Sequence, residues 1–219
     1  KKFGHYQSRG STSAAMRKLL SGNEALALGA YHAGVDVATA YPGTPSTEIL
    51  EALASYEGIY VEWSTNEKVA MEVAVGAAMG GANALVAMKM VGLNVAADPF
   101  VAAVYTGIRG GLVVVSADDP GIHSSQNEQD NRHYALLAKV PMLEPTDSQE
   151  AYEFVDWALR LSHEFDTPVL LRTTTRISHG KSVVEIRPRE RMPALLPPLK
   201  HEPEKYVMIP AYARKRHEI

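Results

Sequence analysis

Five short apolar runs, each followed by a stretch with helical spacing, constrain this chain more than any other feature. They cover residues 35–40, 59–63, 84–90, 111–117 and 168–174, and the fourth reads Gly-Leu-Val-Val-Val-Ser-Ala. Between them apolar residues recur at three- and four-residue intervals, as helices require. Ser21 and Glu24 have capping-box spacing ahead of Leu26, Leu28, Ala30 and Ala33, and Gly34 stops that helix. Ile49, Leu50 and Leu53 share a face in the next segment, and residues 92–105, 131–138 and 148–162 read as further helices. A short strand is expected at 140–143. The segment 67–81 is so rich in Ala, Val, Met and Gly that a helix buried nearly all round is expected there. This alternation predicts an α/β fold: a doubly wound, mostly parallel sheet with helices on both faces. An apolar fraction of 46% with only 7% aromatic residues suits small side chains packed closely on such a sheet.

The predicted domain runs from residue 16 to residue 180. Residues 1–15 have no apolar period and read as a leader or an appended remnant, with Met16 as a natural start. From Lys181 the texture changes: six prolines fall among the last 39 residues, which reads as a Pro-rich linker toward another domain. Net charge is −3, so nucleic acid and anionic membranes have no electrostatic support as partners. No apolar run reaches the roughly 18 residues that span a bilayer. The absence of cysteine excludes disulfides, thiolate nucleophiles and cysteine-ligated clusters within this chain, and a cytoplasmic setting is the expectation.

Three stretches fall at the carboxyl ends of predicted strands, where open α/β sheets bind ligands. The first, Ala-Tyr-Pro-Gly-Thr-Pro-Ser-Thr-Glu from Ala40 to Glu48, is a strand-to-helix turn shaped by two prolines. It brings the hydroxyls of Thr44, Ser46 and Thr47 to the start of a helix. The second, Ser64-Thr-Asn-Glu67, puts a carboxylate in the first turn of the apolar helix. Ser64 and Glu67 have capping-box spacing, so Glu67 taken alone reads first as a cap, and second as an acid poised to share a proton with a ligand nitrogen. Glu72, five residues on, lies on another face and suits an ion pair or a subunit contact. The third is the loop from Asp118 to Asp130, where His123, Ser124, Ser125, Gln126, Asn127 and Gln129 offer hydrogen bonds to a polar substrate, or simply solvate a surface. His123 with Asp118 and Asp119 matches no zinc or calcium spacing, so no metal site is expected. No Gly-x-Gly-x-x-Gly fingerprint, phosphate loop or Gly-x-Ser-x-Gly elbow is present.

Tyr41-Pro-Gly-Thr-Pro-Ser-Thr-Glu48, Asn66-Glu67 with its Ala/Gly-rich helix, Lys89-Met-Val-Gly-Leu-Asn-Val95 and Ser116-Ala-Asp-Asp-Pro-Gly followed by His123-Ser-Ser-Gln-Asn-Glu-Gln-Asp130 occur in that order. Together they resemble the pyrimidine-binding domain of thiamine-diphosphate-dependent 2-oxoacid:ferredoxin oxidoreductases, most of all the α subunit of the indolepyruvate type. The resemblance covers residues 16–216. It implies that Glu67 is catalytic and hydrogen-bonds the pyrimidine N1′ of the cofactor, with Pro42, Pro45, Val91 and Asn94 beside it. Thr44, Ser46, His123, Ser124 and Gln126 are the implied substrate contacts. It further implies oxidative decarboxylation of an aryl 2-oxoacid to its acyl-CoA, with coenzyme A and ferredoxin as partners. Pyruvate, 2-oxoglutarate and a non-catalytic scaffold are the alternatives.

Two departures from the family pattern stand out. No Gly-Asp-Gly segment is present, so the diphosphate and Mg²⁺ fall to another domain, and with no cysteines the Fe–S clusters lie elsewhere in the full subunit. Asp118-Asp119 occupies the region where pyruvate enzymes of the family carry a carboxylate-binding arginine, leaving Arg109 or His123 as substitutes. Further C-terminal domains, a second (β) subunit and a homodimeric contact through the helix 67–81 are expected. On this reading the chain is inactive alone.

Overall fold

The five apolar runs become strands of one sheet in a computed structural model of the chain, which describes residues 16–188 and 201–218. The leader expected over 1–15 and much of the Pro-rich stretch, 189–200, lie outside the described residues. The first elements are β1 (Met16–Ser21), α1 (Gly22–Ala33), β2 (Val37–Ala40), α2 (Thr47–Leu53), β3 (Tyr60–Trp63) and α3 (Glu67–Gly80). There follow β4 (Ala84–Lys89), α4 (Met90–Val95), α5 (Ala97–Thr106), β5 (Leu112–Asp118), α6 (Arg132–Ala138) and β6 (Met142–Leu143). The remainder comprises α7 (Ser148–Phe165), β7 (Val169–Thr174), α8 (Thr175–His179), β8 (Lys181–Ile186), α9 (Pro203–Tyr206) and α10 (Pro210–Arg216).

Six strands pair in the order β3-β2-β4-β5-β7-β6, every pair parallel. The strands read as unbroken apolar runs because both faces of the sheet are covered. Leu85, Ala87, Val113, Val115, Val169 and Leu171 point into a core shared with α1, α2 and α7. Their neighbours Ala84, Val86, Met88, Leu112, Val114 and Leu170 point the other way, onto α3, α5 and α6. The capping box at Ser21 and Glu24 forms as its spacing requires. Gly29 lets α1 lie directly against α7, because a Cβ there would stand 2.2 Å from the Tyr152 carbonyl oxygen.

Three expectations need correction. The helix expected over 92–105 is two helices: Pro99 has no N–H to continue the α4 ladder, but fits the first turn of α5. The change of texture at Lys181 does not end the regular structure. Lys181–Ile186 is β8, paired antiparallel with β1 from Ser21↔Lys181 to Met16↔Ile186. Lastly, α3 is not buried all round: Ala70, Met71, Ala74 and Ala78 form its buried face, while Glu72, Gly76 and Gly80 are exposed.

Candidate active site

After β2 the chain turns into α2 on one face of the sheet, and after β4 it turns into α4 and α5 on the other. The strands β2 and β4 are neighbours, so their carboxyl ends mark the point where connections diverge and a crevice opens. Gly43, from the turn after β2, meets Lys89, the last residue of β4: a Cβ on Gly43 would lie 3.1 Å from the Lys89 Cβ.

The turn is closed by its own hydroxyls. Ser46 Oγ donates to the Gly43 carbonyl at 2.8 Å, and Thr47 Oγ1 accepts from the Gly43 N–H at 2.9 Å. Asn23 Nδ2 ties the Pro45 carbonyl to α1 at 2.7 Å, and the Thr44–Pro45 peptide is cis. Ser46 is buried and its hydroxyl committed, which removes it from the expected substrate contacts. Thr44 is exposed, and its hydroxyl has no partner among the described residues. Pro42 is exposed beside it, and Pro45 is buried beneath.

Glu67 is the first residue of α3, but the Ser64–Glu67 capping box does not form. Asn66 is the N-cap, its side chain accepting from the Val69 N–H at 3.0 Å. Glu67 is thereby released from capping, and its carboxylate has no hydrogen bond or ion pair among the described residues. It lies over α4 instead: a Cβ on Gly92 would stand 2.6 Å from Glu67 Cγ and 2.7 Å from Oε1. The absence of a side chain at Gly92 is what makes room for it. Val91 is half-buried alongside, and Asn94 Oδ1 accepts from the Tyr134 hydroxyl. Glu72 makes the surface contact expected of it, 4.0 Å from Lys68.

The loop after β5 is organised by the two aspartates that the sequence places at its start. Asp118 is fully buried and accepts from the Arg172 Nε at 2.7 Å and the Asn131 N–H at 3.0 Å. Burial pushes its carboxyl up, against the pull of Asn131 and Arg172. Arg172 also pairs with Glu144. Asp119 accepts from the Ser124 N–H at 2.7 Å, the Ser125 hydroxyl at 2.6 Å and the Thr175 hydroxyl at 2.7 Å. Burial alone would raise the Asp119 carboxyl, but these bonds and the His123 N–H outweigh it and hold the group well below the usual carboxylate range. Lys89 reaches across from β4 to donate to the Ser124 carbonyl. His123, Ser124 and Gln126 are exposed on the loop so formed. Arg109, a possible substitute for the carboxylate-binding arginine, lies just ahead of β5 with its N–H on the Ala78 carbonyl. That is the amino edge of the sheet, so Arg109 is excluded from this site.

Gly92 and Lys89 stand in the Lys89–Val95 motif without an assigned role, and the basic residues Arg176 and His179 in α8 were passed over. The available signal was position alone, since Thr-Thr-Thr-Arg-Ile-Ser-His also begins at the carboxyl end of a strand. With the cofactor in mind, the residues fit one half of it. An unpartnered carboxylate and a half-buried apolar flank suit an aminopyrimidine. No cluster of three or more His, Cys, Asp or Glu that could hold a metal occurs among the described residues.

The class of fold is a parallel doubly wound sheet with a crevice at its carboxyl edge. Residues 28–217 match the family described as pyruvate flavodoxin/ferredoxin oxidoreductase, thiamine diP-bdg, and the chain belongs to that thiamine diphosphate-binding family. It is 53% identical over 201 residues to the indolepyruvate oxidoreductase subunit IorA of Methanothermobacter thermautotrophicus, covering 90% of this chain and 32% of that protein. With the IorA of Archaeoglobus fulgidus it shares 49% identity over 203 residues, covering 90% of this chain and 33% of the relative. The chain thus spans about a third of the length of these curated relatives. Its fold matches a 2-oxoglutarate:ferredoxin oxidoreductase from Magnetococcus marinus, solved with 2-oxoglutarate, coenzyme A and succinyl-CoA bound. The TM-score is 0.78 at 17% identity, over 100% of this chain and 46% of that one. No helix among the described residues is long and apolar enough to cross a membrane.

Proposed function

We propose that this chain is the pyrimidine-binding half of an active site that oxidatively decarboxylates an aryl 2-oxoacid, indolepyruvate, to its acyl-CoA and passes the electrons to ferredoxin. The observation that carries the reading is the Glu67 carboxylate, excused from capping by Asn66 and seated on Gly92. Thiamine diphosphate, when bound, supplies the electron sink that decarboxylation of a 2-oxoacid needs. Glu67 would then share a proton with the ring nitrogen N1′, and Pro42, Val91 and Asn94 would border the ring, while Pro45 is buried in the turn. Thr44 offers its hydroxyl to the substrate from the opposite wall, and His123, Ser124 and Gln126 face it from the loop held by Asp119. The diphosphate, Mg²⁺ and the Fe–S clusters belong to other domains of a longer subunit, with a β subunit as partner in the cytoplasm. About 50% identity to relatives named for indolepyruvate supports the choice of substrate.

The test is Glu67→Gln in the full-length, assembled enzyme. Gln keeps the size but cannot hold the shared proton, so exchange of the cofactor's thiazolium C2 proton should fall by 100-fold or more, with thermal stability unchanged. Exchange at the wild-type rate would remove Glu67 from the mechanism. Ferredoxin reduction compared with indolepyruvate, phenylpyruvate and pyruvate checks the substrate, and a clear preference for pyruvate would overturn it.

A further inference from the structure

A cavity of about 550 Å³ lies between the loop after β5 and α8, and His123, Thr174, Arg176 and His179 are among its lining residues. Its size is in the range of small-molecule sites, roughly 300–1,000 Å³. The charge of its lining is one-sided. Arg176 is exposed, and its guanidinium has no hydrogen bond or ion pair among the described residues. His123 and His179 add two imidazoles. The carboxylates nearby are already engaged: Asp119 by Ser124, Ser125 and Thr175, and Glu48 by Asn23 at 3.0 Å and by His179 at 3.5 Å. With a guanidinium and two imidazoles in its lining and no acid among the lining residues, the cavity is complementary to an oxyanion.

Its place in the fold ties it to the reacting centre from two directions. His179 contacts Glu48 in α2, which directly follows the Thr44–Ser46 turn. On the other side His123 precedes Ser124, whose carbonyl is held by Lys89, and Lys89 packs on Gly43 of that same turn. The cavity is thus linked to the turn that carries Thr44 through Glu48 on one side and through Lys89 on the other.

Building on the function proposed above, we infer that this cavity is the carboxylate subsite: Arg176, flanked by His123 and His179, holds the carboxylate of the 2-oxoacid. It supplies from α8 the cation that the Asp118-Asp119 sequence denies to the loop after β5. Arg176 forks both carboxylate oxygens, and the imidazoles act as donors at the rim. The same chemistry would also receive a phosphate of coenzyme A, and the experiment separates the two sources.

Arg176→Gln and Arg176→Lys are prepared in the full-length assembled enzyme. The side chain is exposed and unpaired, so neither change disturbs packing. Loss of a charge-assisted pair corresponds to about a 10- to 100-fold effect. Arg176→Gln should raise KM for the 2-oxoacid by that factor, with KM for coenzyme A and the affinity for thiamine diphosphate within about twofold of wild type. Arg176→Lys should recover part of the loss. Direct binding gives a readout independent of turnover: indole-3-acetate should bind wild type and lose affinity in Arg176→Gln, while indole-3-acetamide binds both equally. A rise in KM for coenzyme A alone would make this a phosphate site and overturn the carboxylate assignment. Unchanged indole-3-acetate affinity in Arg176→Gln would overturn it outright. Should the wild-type enzyme prefer another 2-oxoacid, the substrate reading fails, while the acetate–acetamide comparison still decides whether Arg176 holds a carboxylate.

Discussion

Glu67 is worth little without Gly92. Glycine inside a helix costs about 1 kcal/mol relative to alanine, so an alanine at Gly92 would favour α4 if nothing stood in the way. What stands nearest in the way is the Glu67 side chain, which supplies the three closest atoms at 2.6 to 3.0 Å from the added Cβ. Gly92→Ala should therefore fold and lose at least tenfold in activity because Glu67 is pushed aside. In a Glu67→Ala background the same change should be neutral or stabilising by up to about 1 kcal/mol. A urea-denaturation cycle over the four proteins checks the coupling, and equal cost in both backgrounds would refute it. The residue scale also shows where a motif misleads. The sequence presents Thr44, Ser46 and Thr47 as equivalent hydroxyls, and Ser64 as the natural cap. Which hydroxyl turns inward depends on the path between Gly43 and Thr47, and the cap passed to Asn66 because its side chain reaches the Val69 N–H.

At the scale of elements, the loop between β5 and α6 depends on one buried carboxylate. Asp119 staples Ser124 and Ser125 of the loop to Thr175 of α8, and so sets the position of His123. Its carboxyl titrates well below the ordinary value of 3.8 in the folded protein. The unfolded chain therefore takes up the proton first as pH falls. The stabilisation is fully present above about pH 4 and is lost as pH drops through the folded value. Stability followed by urea denaturation should decline more steeply between about pH 4 and pH 2 in wild type than in Asp119→Asn. Parallel pH profiles would show that Asp119 does not couple to folding. At neutral pH the Asn variant should speed amide exchange at Ser124, whose N–H loses a charged acceptor. None of this was legible in the sequence, where Asp118-Asp119 read as a replacement for an arginine. Two of their hydrogen-bond partners, Arg172 of β7 and Thr175 of α8, lie 54 and 56 residues away.

Over the whole molecule, the C-terminal segment is fastened to the amino edge of the sheet. Asp166 caps α7 and accepts from the Ile108 N–H at 2.8 Å. It also pairs with Lys205 at 2.9 Å and Arg216 at 3.3 Å. Partly exposed ion pairs of this kind contribute on the order of 1 kcal/mol or less each. Asp166→Asn keeps the cap but cancels the charge, and should raise hydrogen exchange in α9 and α10 in the full-length subunit while leaving α7 protected. Unaltered exchange there would mean that the ion pairs do not hold the segment. The described C-terminal helices α9 and α10 thus lie at the edge opposite Glu67.

Amino-acid order by itself determined the layered sheet, because strands covered on both faces must be continuously apolar and the helices between them must carry a 3.6-residue period. It also determined that a carboxylate would stand at the head of α3. The antiparallel pairing of β1 with β8 escaped it: those partners lie 160 to 170 residues apart, and both strands are largely exposed, so neither carries an apolar run. The tertiary structure alone decided which polar groups are spent on the fold and which are left over. Ser46 and Asn66 are spent on bonds to residues three positions away, while Asp118 and Asp119 find Arg172 and Thr175 only once distant elements meet. The side chains of Glu67, Thr44 and Arg176 have no hydrogen bond or ion pair among the described residues, which leaves them able to meet a ligand.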